Sequence, residues 1–294
     1  MASYRIRSPM LRMVYNRMVE EAKDKQCDHS MWYAVNTSNL SEDLASRFVQ
    51  SHEDEETSEF LKTCYDKADW VFTQMTHMVL KSMLSWFMNQ TSINGILRRG
   101  SMFVYSKRQF QSLMGIDEHW KTGSLLDLGA GDGRVTEKMA SHFEQVYATE
   151  ASRPMVWRLQ ELGYSVLDVA EWADGSRKYN VISCLNLLDR CERPVSLLHD
   201  MKRSLQPENG RIIVAVVIPF RPYVEFGGID HKPFEYLHIN GTSFEEQVQS
   251  FAFNVLAPAG LQVESFTRLP YLCEGDLSRS FYILDDVVFV LKPS

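Results

Sequence analysis

One segment has residue types and spacing laid out for holding a nucleoside: Leu125 to Ala140, LLDLGAGDGRVTEKMA. An apolar run ends in Asp127, and Gly129, Gly131 and Gly133 follow at alternate positions before a helical pattern begins. In an open α/β sheet, ligands bind beyond the carboxyl ends of the strands where strand order reverses, normally after the first strand. Gly129 there makes the tight turn, and Gly131 lets the backbone approach a ligand with no Cβ in the way. No Lys-Ser/Thr follows the glycines, which excludes a triphosphate-binding P-loop. The dinucleotide fingerprint G-x-G-x-x-G is also missed, because Arg134 stands at its sixth position and the third glycine arrives one residue early. A plain strand-to-helix turn without a ligand is the alternative.

Polar residues at later strand ends extend the pattern. Glu150 closes VYATE, the second predicted strand, where a carboxylate can accept hydrogen bonds from both ribose hydroxyls. Asp168 or Glu171, after the third strand, can accept from an adenine amino group. In YNVISCLNLLDRC the apolar fourth strand gives way to Asn186 and Asp189. Asn186 offers both a donor and an acceptor, while Asp189 can accept an N–H and hold a nucleophile in line with a methyl group. A helix cap, or an ion pair with Arg190 or Arg193, is the alternative for Asp189. D-x-G-x-G-x-G is commonly seen where S-adenosylmethionine binds in class I methyltransferases, with the loop facing the amino acid end of the cofactor.

The elements that must position these groups follow from periodicity. From about Gly123 the chain alternates strand, loop and helix. Strands are predicted over Ser124–Leu128, Gln145–Thr149, Ser165–Val169, Asn180–Leu185, Arg211–Ile218, Gln262–Arg268 and Phe281–Leu291, with helices at about 134–142, 153–162, 194–205 and 243–259. Such alternation implies right-handed βαβ units and a mostly parallel sheet covered on both faces. Before it lies a helical region: apolar positions Met10, Met13, Val14, Tyr15 and Met18, then a longer apolar face between Glu56 and Phe87. Asn89–Phe103, broken by Gly95 and Gly100, is predicted as a loop. After Pro219 an irregular insertion carries Phe220, Tyr223, Phe226, Phe234 and Tyr236, able to wall a peptide groove or to cap the core.

Bulk properties exclude other classes. A chain of 294 residues with 45% hydrophobic residues can bury a real core. A net charge of −7 argues against a dedicated nucleic-acid binder. Five scattered cysteines without a C-x-x-C pair suit reduced thiols, not a disulfide framework or a zinc site, and no metal is expected. The longest apolar run, IIVAVVI, is too short to span a bilayer, and the start shows no apolar signal segment, so a soluble intracellular chain is expected.

Taken together, LLDLGAGDG, YATE, VISCLNLLDRC, RLPYLCEGD and YILDDVVFVLKP closely resemble the DREV, or methyltransferase-like 9, family, over roughly Arg99 to Pro293 and including RGSMFVYS. The resemblance implies a class I, Rossmann-like methyltransferase domain over 99–294 with a seven-stranded, mostly parallel sheet. A helical region over 1–98 would pack on that domain. It implies a protein-histidine methyltransferase that uses S-adenosylmethionine and places one methyl on the pros nitrogen of histidines in H-x-H motifs. By the same resemblance Glu150, Asn186 and Tyr271 contact the cofactor, and Asp127, Gly129 and Gly131 shape its loop. Asp189 and Tyr282 fall in motifs that face the substrate imidazole. A monomer is expected, and the resemblance points to the endoplasmic reticulum or mitochondria. The rivals are a methyltransferase for a small amine or metabolite, and a cofactor-binding module without activity.

Overall fold

Unbroken Val/Ile/Leu runs become central strands because both their faces can be buried. In the computed structural model, which describes residues 8–70, 100–224 and 230–294 with Thr73, Thr76 and Ile93, they form the middle of one sheet. Its strands are β1 (Met102–Phe103), β2 (Thr122–Leu128), β3 (Phe143–Thr149), β4 (Ser165–Leu167), β5 (Val181–Leu185), β6 (Arg211–Ile218), β7 (Leu261–Glu274) and β8 (Phe281–Pro293). Their order is β1-β7-β8-β6-β5-β2-β3-β4. The run β6-β5-β2-β3-β4 is parallel, and β8 is antiparallel to both β6 and β7. Without β1 this is the class I methyltransferase strand order.

Among the described residues the sheet therefore has eight strands, one more than the seven expected. The extra strand, β1, pairs antiparallel with β7 through Met102↔Cys273 and Phe103↔Leu272. Two residues carry no periodicity, so they are legible only once a partner strand is present. β7 also runs on to Glu274, beyond the predicted stop at Arg268, despite Pro270. Pro270 pairs with Asp285 on the β8 side, whereas β1 reaches only residues 272 and 273 on the other. A residue without an N–H is tolerated where a ladder has a free side.

Helices cover both faces. Those described are α1 (Pro9–Asp24), α2 (Glu42–Ser46), α3 (Glu55–Ala68), α4 (Lys107–Met114), α5 (Arg134–Ala140), α6 (Arg153–Glu161), α7 (Pro194–Ser204) and α8 (Phe244–Phe251). One core layer packs Leu198 and Met201 of α7 and Val248 and Phe251 of α8 against Leu126, Ile182, Val214 and Phe289. The other packs Phe110 and Leu113 of α4 and Met139 of α5 against Leu125, Val181, Ile213 and Val288. A π-helical turn over Ala252–Leu256 continues α8, so the predicted helix over 243–259 changes its winding near its end. The long helix predicted from Glu56 is seen as α3. It stops earlier than predicted: α3 ends at Ala68, with Asp69 capping it and Trp70 already outside a helix. Residues 71–87 other than Thr73 and Thr76, most of the 89–103 loop and Phe226 lie outside the described residues.

Residues ahead of the sheet fasten to it through the backbone. The Val49 amide donates to Phe266 O at 2.8 Å, and the Phe266 amide donates to Arg47 O at 3.0 Å. Glu245 of α8 accepts from the Asn36 amide at 2.8 Å.

Candidate active site

Strand order reverses between β2 and β5, and the carboxyl ends of these two strands lead into the glycine turn and the Asn186 loop. Asp127, next to last in β2, is fully packed between them. Its carboxyl accepts from Thr136 Oγ1 of α5 at 2.5 Å and from Ser183 Oγ of β5 at 2.6 Å. It ties the helix after the turn to the neighbouring strand. Burial pushes its pKa up to about 6, against the pull of the two hydroxyls.

That shift makes a stability prediction. A carboxyl that titrates near 3.8 unfolded and near 6 folded stabilises fully below about pH 4, and that contribution is lost as pH rises through about 6. Asp127→Asn cannot ionise and so escapes the loss. Its stability deficit relative to the parent, from urea unfolding, should shrink between pH 4 and pH 7.5 by up to about 3 kcal/mol. A deficit that is constant or grows would show that Asp127 does not titrate there.

The turn itself is held by Glu150. Glu150 Oε2 accepts from the Gly131 amide at 3.0 Å, and Oε1 accepts from the Ser152 amide at 2.8 Å. Each carboxylate oxygen keeps a second lone pair for another donor. The Gly129 amide reaches Thr149 O at 3.0 Å. Gly131 has φ +57°, and a Cβ built on it would meet nothing within 4 Å, so its bare side faces open space. Gly133 differs. With φ +80°, its Cβ would come within 2.7 Å of Leu162 Cδ1, so glycine here allows α5 to lie close to the end of α6. Asp168 and Glu171 are exposed, and Asp168 accepts from the Ala170 amide at 2.8 Å.

A buried polar cluster lies past the end of β5, against β8. Asn186 takes the left-handed conformation, φ 53°, which Asn tolerates better than most residues. Its Nδ2 donates to Asp286 Oδ2 of β8 at 2.7 Å. Asp189 is 6% exposed, and its Oδ2 accepts from Arg190 Nε at 3.2 Å. Asp286 is fully buried. Asn186 Oδ1, Asp189 Oδ1 and Asp286 Oδ1 are buried and have no hydrogen-bond partner. Three buried polar oxygens left this way are costly unless a partner is brought to them. Burial raises the Asp189 pKa, and the Arg190 charge pulls it part of the way back. Burial raises Asp286 further; the Asn186 amide opposes this and the charge of Asp189 adds to it. Tyr271 of β7 joins the group: its hydroxyl donates to Met102 Sδ, burial holds its pKa high, and it feels the charges of Asp286, Arg190 and Asp189.

The structure thus brings Asn186, Asp189 and Tyr271 together, beside a turn built from Asp127, Gly129, Gly131 and Glu150. Tyr282 lies on the same β7–β8 ribbon, opposite Cys273, where it is 38% exposed. Its hydroxyl donates to Asp276 Oδ2 at 3.1 Å, not to Asp189. Asp286 was not singled out by sequence reasoning. The signal was present: on an alternating strand it takes the same face as Val288 and Val290, a core register in which a carboxylate needs a reason.

The insertion after Pro219 is tied to the same loop. The Tyr223 amide donates to Asp189 O at 2.7 Å and the Phe234 amide to Glu192 O at 2.8 Å. Tyr223, Phe234 and Tyr236 are exposed, whereas Phe220 packs on the core. A separate cavity of about 520 Å³ between α3, β1 and α5 contains none of these site residues, and its Lys67 pairs with Glu274 at 2.8 Å.

Two solved structures are similar to this chain at a low level. One is an N-methyltransferase from Bradyrhizobium japonicum in complex with S-adenosyl-L-homocysteine, 15% identical over 64% of this chain and 85% of that one, with a TM-score of 0.40. The other is magnesium protoporphyrin IX methyltransferase from Synechocystis with bound S-adenosylhomocysteine, 13% identical over 64% and 82%, also at 0.40. Likenesses this distant say nothing about substrate. The sequence profile of the DREV methyltransferases, by contrast, matches residues 32–293, which takes in every described strand and all the site residues placed above. With that match and this strand order, the chain belongs to the DREV methyltransferase family and is a class I enzyme dependent on S-adenosylmethionine.

Proposed function

We propose that this enzyme methylates protein histidines at the pros nitrogen, in H-x-H segments. The observation that carries the proposal is the meeting of three distant motifs in one cluster. VISCLNLLDRC, RLPYLCEGD and YILDDVVFVLKP contribute Asn186 and Asp189, Tyr271, and Asp286, with two buried carboxyl oxygens lacking donors.

These residues fit the methyl donor. The bare side of Gly131 leaves room beside the turn, Glu150 has lone pairs for ribose hydroxyls, and Asn186 has an unused acceptor. When bound, the cofactor supplies an electrophilic methyl on a sulfonium. Imidazole has an ordinary pKa of about 6.5, so about three-quarters of a free histidine is neutral at pH 7 and needs no strong base. What the enzyme must choose is the tautomer. Attack through the pros nitrogen requires the ring proton on the tele nitrogen, and Asp189 Oδ1 is suited to accept that N–H. A carboxylate there also stabilises the cationic ring as it forms, and the ring's growing charge favours the ionised form of Asp189. Tyr282, at the exposed end of the ribbon, is assigned to the wall along which the peptide lies. Net charge of −7 suits a histidine-rich peptide with partly protonated flanking rings.

The test is transfer of label from S-adenosylmethionine to an H-x-H peptide, compared with the same peptide carrying alanine at either histidine and with a lysine peptide. Label on the first alone is expected; labelling of lysine, or of none, contradicts the proposal.

A further inference from the structure

We infer that Asp286 is a positioning residue acting through Asn186: it takes the amide NH₂ and so turns the amide oxygen towards an N–H donor of the bound reactants. The inference rests on the cluster being the reaction site. Asp286 sits in a core register of β8, opposite Val217 and Leu269, where a valine would fill the same space without a buried polar group. A carboxyl retained there serves some other end than packing. Its hydrogen bond spans from the last antiparallel strand to the loop after β5, 2.7 Å onto Asn186 Nδ2. Asn186 has a left-handed backbone, and its own amide donates to Ala215 O at 3.0 Å, so the main chain is already fixed. The remaining freedom is rotation of the side-chain amide, and Asp286 Oδ2 removes it. With NH₂ engaged, Asn186 Oδ1 is the half of the amide left over, buried and without a partner. An acceptor in that place recognises an N–H group. Two parts of the reaction carry one: the ammonium at the amino acid end of the cofactor, and the tele N–H of the substrate ring.

The experiment uses the full chain and four variants, Asp286→Val, Asp286→Asn, Asn186→Ala and the double Asn186→Ala/Asp286→Val. S-adenosylhomocysteine affinity is read by calorimetry, peptide KM and kcat by label transfer, and thermal midpoint by scanning. Asp286→Val should weaken either the nucleoside or the peptide by about tenfold, the loss of one hydrogen bond, without lowering the midpoint. Which of the two weakens tells the source of the donor. Asp286→Asn keeps an acceptor and should stay within about threefold of the parent. Asn186→Ala should match Asp286→Val, and the double variant should be no worse than either single one, because the two act as one unit. Affinities unchanged in Asp286→Val, or a double variant whose losses multiply, would overturn the inference. So would a lowered midpoint that accounts for the loss. If Asp286→Val does not fold, Asp286→Asn decides, and a tenfold loss there overturns it. The nucleoside arm does not depend on the substrate being histidine, so failure of that reading and failure of this one are separable.

Discussion

Asp189→Asn is expected to lower kcat by about 100-fold or more while S-adenosylhomocysteine affinity stays within about threefold. The side chain keeps its volume, so the packing around a residue that is 6% exposed is preserved. What is lost is an acceptor-only group. An amide can turn its NH₂ towards the ring, and that end pairs with the opposite tautomer, leaving the proton on the nitrogen that must attack. The charge that would stabilise the cationic ring is lost as well. Because the effect lies in chemistry and ring orientation, kcat should fall far more than KM rises. Turnover within a fewfold of the parent would remove Asp189 from the reaction. An equal loss in Asp189→Asn and Arg190→Ala would instead mark the pair as a structural ion pair, since Arg190 Nε touches Asp189 Oδ2 at 3.2 Å.

Glu150→Ala is expected to weaken S-adenosylhomocysteine by about 100-fold, from two charge-assisted hydrogen bonds at about 1.5 kcal/mol each. The Gly131 amide and the Ser152 amide both lose their partner, so the turn loosens as well. With cofactor saturating, kcat should stay near that of the parent, because Glu150 is assigned to the ribose hydroxyls and not to the reacting methyl. Calorimetry checks the first statement and a cofactor titration of turnover the second. An affinity within threefold of the parent would mean that Glu150 serves only as a brace for the glycine turn.

Most of the frame that carries these groups was legible in the chain. Central strands such as Arg211–Ile218 announced themselves because burial on both faces demands continuous apolar residues. The glycine turn was legible because backbone geometry restricts what can stand at Gly131 and Gly133. What escaped depends on partners remote in sequence. β1 is a strand only because β7 continues past the sheet edge, and β7 does so across a proline that local rules treat as a stop. Asp127 was legible as the acid closing the strand before the glycine turn, yet its grip on Thr136 and Ser183 needs the fold to bring α5 and β5 to it. The hold of Asp286 on Asn186 spans β8 and the loop after β5, and only the alternation within β8 hinted at it.

The identity of the methylated nitrogen bears most directly on the account. An H-x-H peptide labelled by the full chain, hydrolysed to amino acids and resolved by mass spectrometry against authentic standards, should yield pros-methylhistidine with no tele isomer. Tele-methylhistidine as the product would contradict a site in which Asp189 holds the tele N–H.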